Sequence, residues 1–310
     1  MLCCANCRDV VVGCWRLLPL ADGFIPSENP PVFSTFYLFA MAVAVGIPIL
    51  LPLVPLAQIG RRFFILMSFV ALVFVALAVG AHGLDLHPLY LVFAALLIAY
   101  NVLLPRQSGV DWSERREAQE GGPQTTTTWI SQTLLYAAVA VGLVVLVIDA
   151  VDYPVALPMR FAAQPLLALS FLSAAFVVGG ALTAMVLGHW YLVARKLSFG
   201  PLARVTLALI VLLAIRIAVV VAGVVSQAEF WQESIERVGL LGFLVQPGTF
   251  LLARTLFGLI APVVMMWMVW KCVQVRSNQS ATGILYVVVV FVFIGEIIAK
   301  YILVSYRVVI

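Results

Sequence analysis

The stretch LALIVLLAIRIAVVVAGVV, Leu207 to Val225, decides how this chain folds. It runs without the alternating polar face of a half-buried strand, and as a helix it reaches about 28 Å, close to the ~30 Å of hydrocarbon in a bilayer. One charged side chain, Arg216, interrupts it. A second run, ILYVVVVFVFIGEIIA from Ile284 to Ala299, carries Glu296 in the same way. A charge near a bilayer centre costs from a few to about ten kcal/mol, so such residues face a partner, a cavity or a pathway.

The rest of the chain reads like these two runs. With 64% hydrophobic residues against 10% charged ones over 310 residues, a soluble globular protein is excluded. The apolar runs are continuous, not the short alternating segments of a membrane barrel, so the expected fold is all-α, a polytopic transmembrane bundle. Eight spans are expected: Phe33 to Ala57, Phe63 to Ala81, Pro88 to Leu104, Trp129 to Val151, Leu166 to Trp190, Leu202 to Val225, Phe250 to Val275, and Ala281 to Tyr306. In domain terms, residues 1–32 form an N-terminal interfacial segment and 33–106 hold spans one to three. A polar cytoplasmic loop fills 107–128, and 129–310 hold spans four to eight.

Loop charge sets the orientation. Connections one, three, five and seven carry Arg61, Arg62, Arg106, Arg115, Arg116, Arg195, Lys196, Lys271 and Arg276, whereas the opposite loops carry only Arg160 and Arg237. The basic set belongs in the cytoplasm, which puts both termini outside, with a bacterial inner membrane as the expected location. Arg8, Arg16, Arg307 and Arg254 at the start of span seven count against that bias. The formal charge of +4 follows from the loops, and no dense basic patch with interleaved aromatics points to nucleic acid. No cleavable signal peptide is expected, because Arg16 interrupts Val10 to Leu20.

The loop at 107–128, with Asp111, Glu114, Glu117, Glu120 and a Gly-Gly-Pro break, cannot bury enough apolar surface to fold alone and reads as a solvated connector. Residues 227–248 differ in kind. Phe230, Trp231, Ile235, Val238 and Leu241 interleave with Glu233, Glu236 and Arg237, the pattern of an amphipathic helix at the outer interface. Pro48, Pro52 and Pro55 predict a kink in the first span. Gly180, Ala184 and Gly188 predict close helix approach in the fifth.

Two sets of residues carry the chemistry. Arg216 lies about 18 Å below Arg204 along its helix and Glu296 about 20 Å from Gly283, so the two match in depth and an interhelical pair is allowed. Lys300, one turn beyond Glu296, is a competing partner on the same face. Such a set serves as a proton or ion-pair element, or as a structural tie between helices. The second set is His189, Trp190 and Tyr191 at the cytoplasmic edge of span five, where an imidazole among aromatics could hydrogen-bond a quinone carbonyl while the rings form an aromatic belt.

Other chemistries find no support. His82 and His87 flank an outer loop, where the two could approach each other at the membrane edge, and His189 lies on the other side, so a bis-histidine haem site within the membrane is not expected. Cys4 and Cys7 form a Cys-x-x-Cys pair beside Cys3 and Cys14, without a second pair or a nearby histidine to complete a metal site, and surface anchoring or lipidation is the simpler use. No metal and no covalently bound cofactor is expected, and no motif for soluble-type catalysis is present. The chain is not a self-contained enzyme on this reading.

The eight-span plan, outward termini, His/Trp/Tyr cluster and buried Arg and Glu resemble, in architecture over residues 33–306, the NrfD or polysulfide-reductase-type membrane anchors. That resemblance implies a subunit of a respiratory or other redox complex that offers a quinone pocket or proton path, with partner subunits supplying the redox centres. No binding residue of that family carries over to a numbered position. The other functions open to the sequence are a proton-coupled secondary transporter working through Arg216 and Glu296, and a structural or assembly subunit.

Overall fold

The computed structural model describes residues 31–82, 88–104, 126–153, 160–193, 200–245 and 247–309. Among these residues there is no strand. Eight helices account for the expected spans: α1 (Pro31–Leu50), α2 (Arg61–His82), α3 (Leu89–Leu103), α4 (Thr126–Asp152), α5 (Arg160–Val193), α6 (Gly200–Ser226), α8 and α9 (Asn278–Tyr306), with α7 (Ala228–Val245) between α6 and α8. Helix α8 is built from Pro247–Thr255, a π-helical turn Leu256–Ile260, and Ala261–Gln274. Seven of these helices are long and apolar enough to cross a bilayer, and the 15-residue α3 is a shorter apolar helix beside them. The chain is an integral membrane protein of the all-α, multi-pass class. We call the end where α1 begins the upper end.

Helices α1 and α5 form the centre, being far more buried than the other spans. They meet without side chains between them: a methyl on Gly46 would overlap the carbonyl of Ala175, and one on Gly179 would overlap the backbone at Gly46. Backbones that touch in this way gain packing contacts that lipid cannot supply, which is how small residues drive association in a membrane. The expected stripe of Gly180, Ala184 and Gly188 is thus offset by one residue. Gly180 faces Leu50 of α1 and Leu209 of α6, and Gly188 faces Thr282 of α9.

The first span is broken, not merely kinked. α1 stops at Leu50 and tightens into a 3-10 turn, Leu51–Leu53. Val54 is then extended at φ −100°, ψ 114°, as the ring of Pro55 requires of the residue before it, and four residues, Leu56–Ile59, resume the helix. The polar loop also ends earlier than 128, because Thr126 already begins α4. Helix α7 realises the expected amphipathic segment with one correction: Gly239, at φ 73°, splits it in two. Trp231 on its first half packs with Phe243, Ile302 and Val308.

The π-turn in α8 has an identifiable cause. Pro262 lacks the N–H that would bond the carbonyl of residue 258, so the helix widens just before it. There Gly258 lies against Gly295 of α9 with room for no side chain on either.

Candidate functional site: a buried charge cluster

Arg216 projects from α6 towards α9 and grips Glu296 with both prongs, Nε to Oε1 at 3.1 Å and Nη2 to Oε2 at 3.1 Å. The depth match read from sequence is therefore a direct bidentate pair. The third guanidinium nitrogen, Nη1, turns to α5 and donates to the Ser170 carbonyl (3.1 Å), Ser170 Oγ (2.9 Å) and Ser173 Oγ (3.2 Å). Every nitrogen of Arg216 is engaged, and the side chain ties α5, α6 and α9 together.

Glu296 has a second partner that the sequence reading did not find. Arg254, seven residues into α8 and charged only to the loop count above, is fully buried, and its Nη2 donates to Glu296 Oε1 at 2.8 Å. Space for its guanidinium comes from Gly258, where a methyl would collide with Nη1. Its Nε and Nη1 have no hydrogen-bond partner among the described residues.

Lys300, expected to compete for Glu296, does not. Among the described residues its ammonium has neither hydrogen-bond nor salt-bridge partner and stands 3.7 Å from the centre of the Phe171 ring. It lines a narrow crevice with Leu167, Ser170, Leu303 and Val309, which has no room for a water molecule. Arg216, Arg254, Glu296 and Lys300 are each at most 2% exposed. Ionised groups so desolvated gain from one another only where hydrogen bonds are complete, and here they are complete on the Arg216 side alone.

A second network was also missed. At the upper ends of α1, α3 and α4, Tyr37 donates to Tyr90 at 2.7 Å and Tyr90 donates to Asp149 in a very short bond, with the Tyr37 hydroxyl 3.3 Å from the same carboxylate. A phenol donor at the end of a tyrosine chain suits an ionised carboxylate, which can only accept. Asp149 is near enough for its charge to act on Lys300, as do Glu296, Arg216 and Arg254. Asp149 interrupts an apolar run as Glu296 does, three residues from the end of α4. Arg254 left the weaker sign of a lone cation one turn inside its span.

Over the crevice lies a strap. Arg307 adopts the left-handed conformation (φ 55°) and caps α9 through its N–H to Leu303, so that Val308 and Val309 fold back and are buried. The Gln227 side chain pairs with the Val309 peptide in both directions, Nε2 to O at 2.8 Å and N to Oε1 at 3.0 Å. Beside the strap, above the span, burial pushes the Tyr153 phenol up to about 12, with the charge of Arg307 pulling it back.

The aromatic set at the lower end is divided. Trp190 donates to the Ile59 carbonyl at 3.1 Å and packs edge-on against Phe63, and the buried Tyr191 hydroxyl is bonded by the Leu202 backbone. Both hold the helix ends. His189 is exposed and pairs through Nδ1 with the Tyr286 hydroxyl at 3.1 Å. Among the described residues no group of three His, Cys, Asp or Glu could hold a metal. The Cys3, Cys4, Cys7 and Cys14 cluster and His87 lie outside the described residues, as does the side chain of His82.

No protein family, curated protein or solved structure matches this chain.

Proposed function

We propose that this chain is a proton-coupled membrane carrier whose working group is Lys300. One observation carries the reading: the upper cluster sets three cations, Arg216, Arg254 and Lys300, against two carboxylates, Glu296 and Asp149, and Lys300 has no hydrogen-bonded acceptor among the described residues. Surplus buried charge is costly, and release of the Lys300 proton brings the five groups to neutrality. A buried lysine can give up its proton where a guanidinium cannot. Glu296, held by both arginines, is then the fixed countercharge, and Asp149 with its two tyrosines is the exchange port on the upper face.

Below the cluster, two buried hydroxyls without hydrogen-bond partners among the described residues, Thr183 on α5 and Thr206 on α6, supply polar steps towards the lower end. The antiparallel register that sets Gly180 against Leu209 brings these two level with each other. Reconstituted in liposomes holding a pH dye, the chain is expected to move protons down an imposed gradient, and Lys300→Met to reduce the rate to that of empty liposomes. A wild-type rate no higher than that of empty liposomes refutes the proposal.

The exposed His189–Tyr286 pair favours a second reading, in which a quinone headgroup docks on that edge and the chain anchors the partner subunits of a redox complex, as the NrfD-type resemblance implies. His189→Ala should then lower quinone-dependent turnover of the complex isolated from native membranes. Unchanged turnover removes His189 from any such site.

A further inference from the structure

We infer that a small monovalent inorganic anion binds beside Lys300, beneath the 307–309 strap, and that its binding is coupled one-to-one to protonation of that lysine. The inference rests on Lys300 exchanging a proton, and it names the co-substrate. Charge balance carries it. The groups facing Lys300 are Glu296 on its own helix, Arg216 from α6, Arg254 from α8 and Asp149 from α4, with the uncharged Phe171 and Ser170 on α5. With the lysine neutral, two guanidiniums balance two carboxylates. Once it is protonated, the set carries a buried excess of one positive charge that no described side chain neutralises. Lysine amine, proton and anion together become an ammonium–anion pair, so the net charge is zero before and after.

Two further observations place the anion. Arg254, on the α8 side of Glu296, leaves Nε and Nη1 unbonded among the described residues although fully buried, so the cluster as a whole has unused positive donors. The crevice beside Lys300 is closed over by Val309, whose peptide is latched only at its two polar atoms by Gln227. In its closed form it admits no water, so the strap must lift before an anion enters. Breaking two neutral hydrogen bonds is a small obstacle, of the order that thermal motion overcomes within a transport cycle.

The test uses the purified full chain. In weakly buffered detergent solution, added chloride is expected to be taken up with about one proton per ion, read by calorimetry and a pH electrode, with nitrate behaving alike and gluconate, too large for the crevice, inert. Lys300→Arg, which keeps the charge but cannot release a proton, should bind chloride without proton uptake. Gln227→Leu should speed chloride release and leave the proton-to-anion ratio unchanged. In liposomes, replacing chloride by gluconate should slow proton movement by about tenfold. Equal proton movement in chloride and gluconate overturns the anion site while the proton carrier stands. Chloride uptake with its proton in detergent, without proton movement in liposomes, overturns the carrier while the site stands. Chloride binding by the wild type without proton uptake overturns the coupling.

Discussion

Arg216 and Lys300 belong to one buried cluster yet stand in opposite situations. On the α5–α6 side every nitrogen of Arg216 has an acceptor, and removing that side chain would leave three helices without their common tie. On the crevice side Lys300 rests on an aromatic face, and on the α8 side Arg254 keeps two donors without a partner among the described residues. A fully bonded buried ion is a structural element, since each state other than the charged one breaks several bonds. A sparsely bonded one can change its charge at little structural cost, which suits the moving part of a mechanism. The same physics gives neighbouring cations different uses.

Five variants break or sharpen that contrast, here in order of their effect on stability. Glu296→Gln leaves both guanidiniums with a neutral partner and should cost about 3–5 kcal/mol, measured by thermal unfolding in detergent. Replacing Arg216 and Glu296 together by Met should cost less than the sum of the singles, whereas additivity would show that the pair does not act as a unit. Gly258→Ala forces Arg254 off Glu296 and presses on Gly295, for an expected loss of about 1–3 kcal/mol. Thr206→Val removes an unbonded buried hydroxyl and should stabilise by about 1 kcal/mol while slowing proton movement. Lys300→Met should change stability least, by under about 1 kcal/mol, because the ammonium loses only its contact with Phe171. If Lys300→Met unfolds the protein as readily as Glu296→Gln does, the two sides of the cluster are alike and the distinction fails.

What the sequence disclosed follows from which interactions are local. Continuous apolar runs reveal spans because the bilayer imposes length, and all eight positions were readable from them. Arg216 and Glu296 stood out because each sits nine or more residues from either end of its expected span, where no loop can claim it. Arg254 and Asp149 lie within two turns of helix ends, where a charge is ordinarily solvated. Their surroundings come from the neighbouring helices, which bury Arg254 through the Gly258 gap and set two tyrosines from other helices against the partly buried Asp149. Trp190 and Tyr191 were visible as aromatics, but their partners were hidden for the same reason. Their polar atoms are satisfied by backbone groups of Ile59 and Leu202, contacts that no spacing pattern encodes. The proline-rich end of the first span was legible as disruption but not as a break, since the outcome depends on how three prolines share the lost bonds.

The meeting of Gly258 with Gly295 has a mechanical meaning. Two backbones in contact at single hydrogen-bearing carbons behave as a notch: sliding α8 along α9 in either direction would bring the larger residues one turn away, Arg254 or Pro262, against Gly295, so axial travel is blocked. Rocking about that notch is not. The cation one turn above it, Arg254, would then act as a lever arm, swinging its tip across Glu296 as α8 tilts and turning a small angular motion into the making or breaking of one ionic bond.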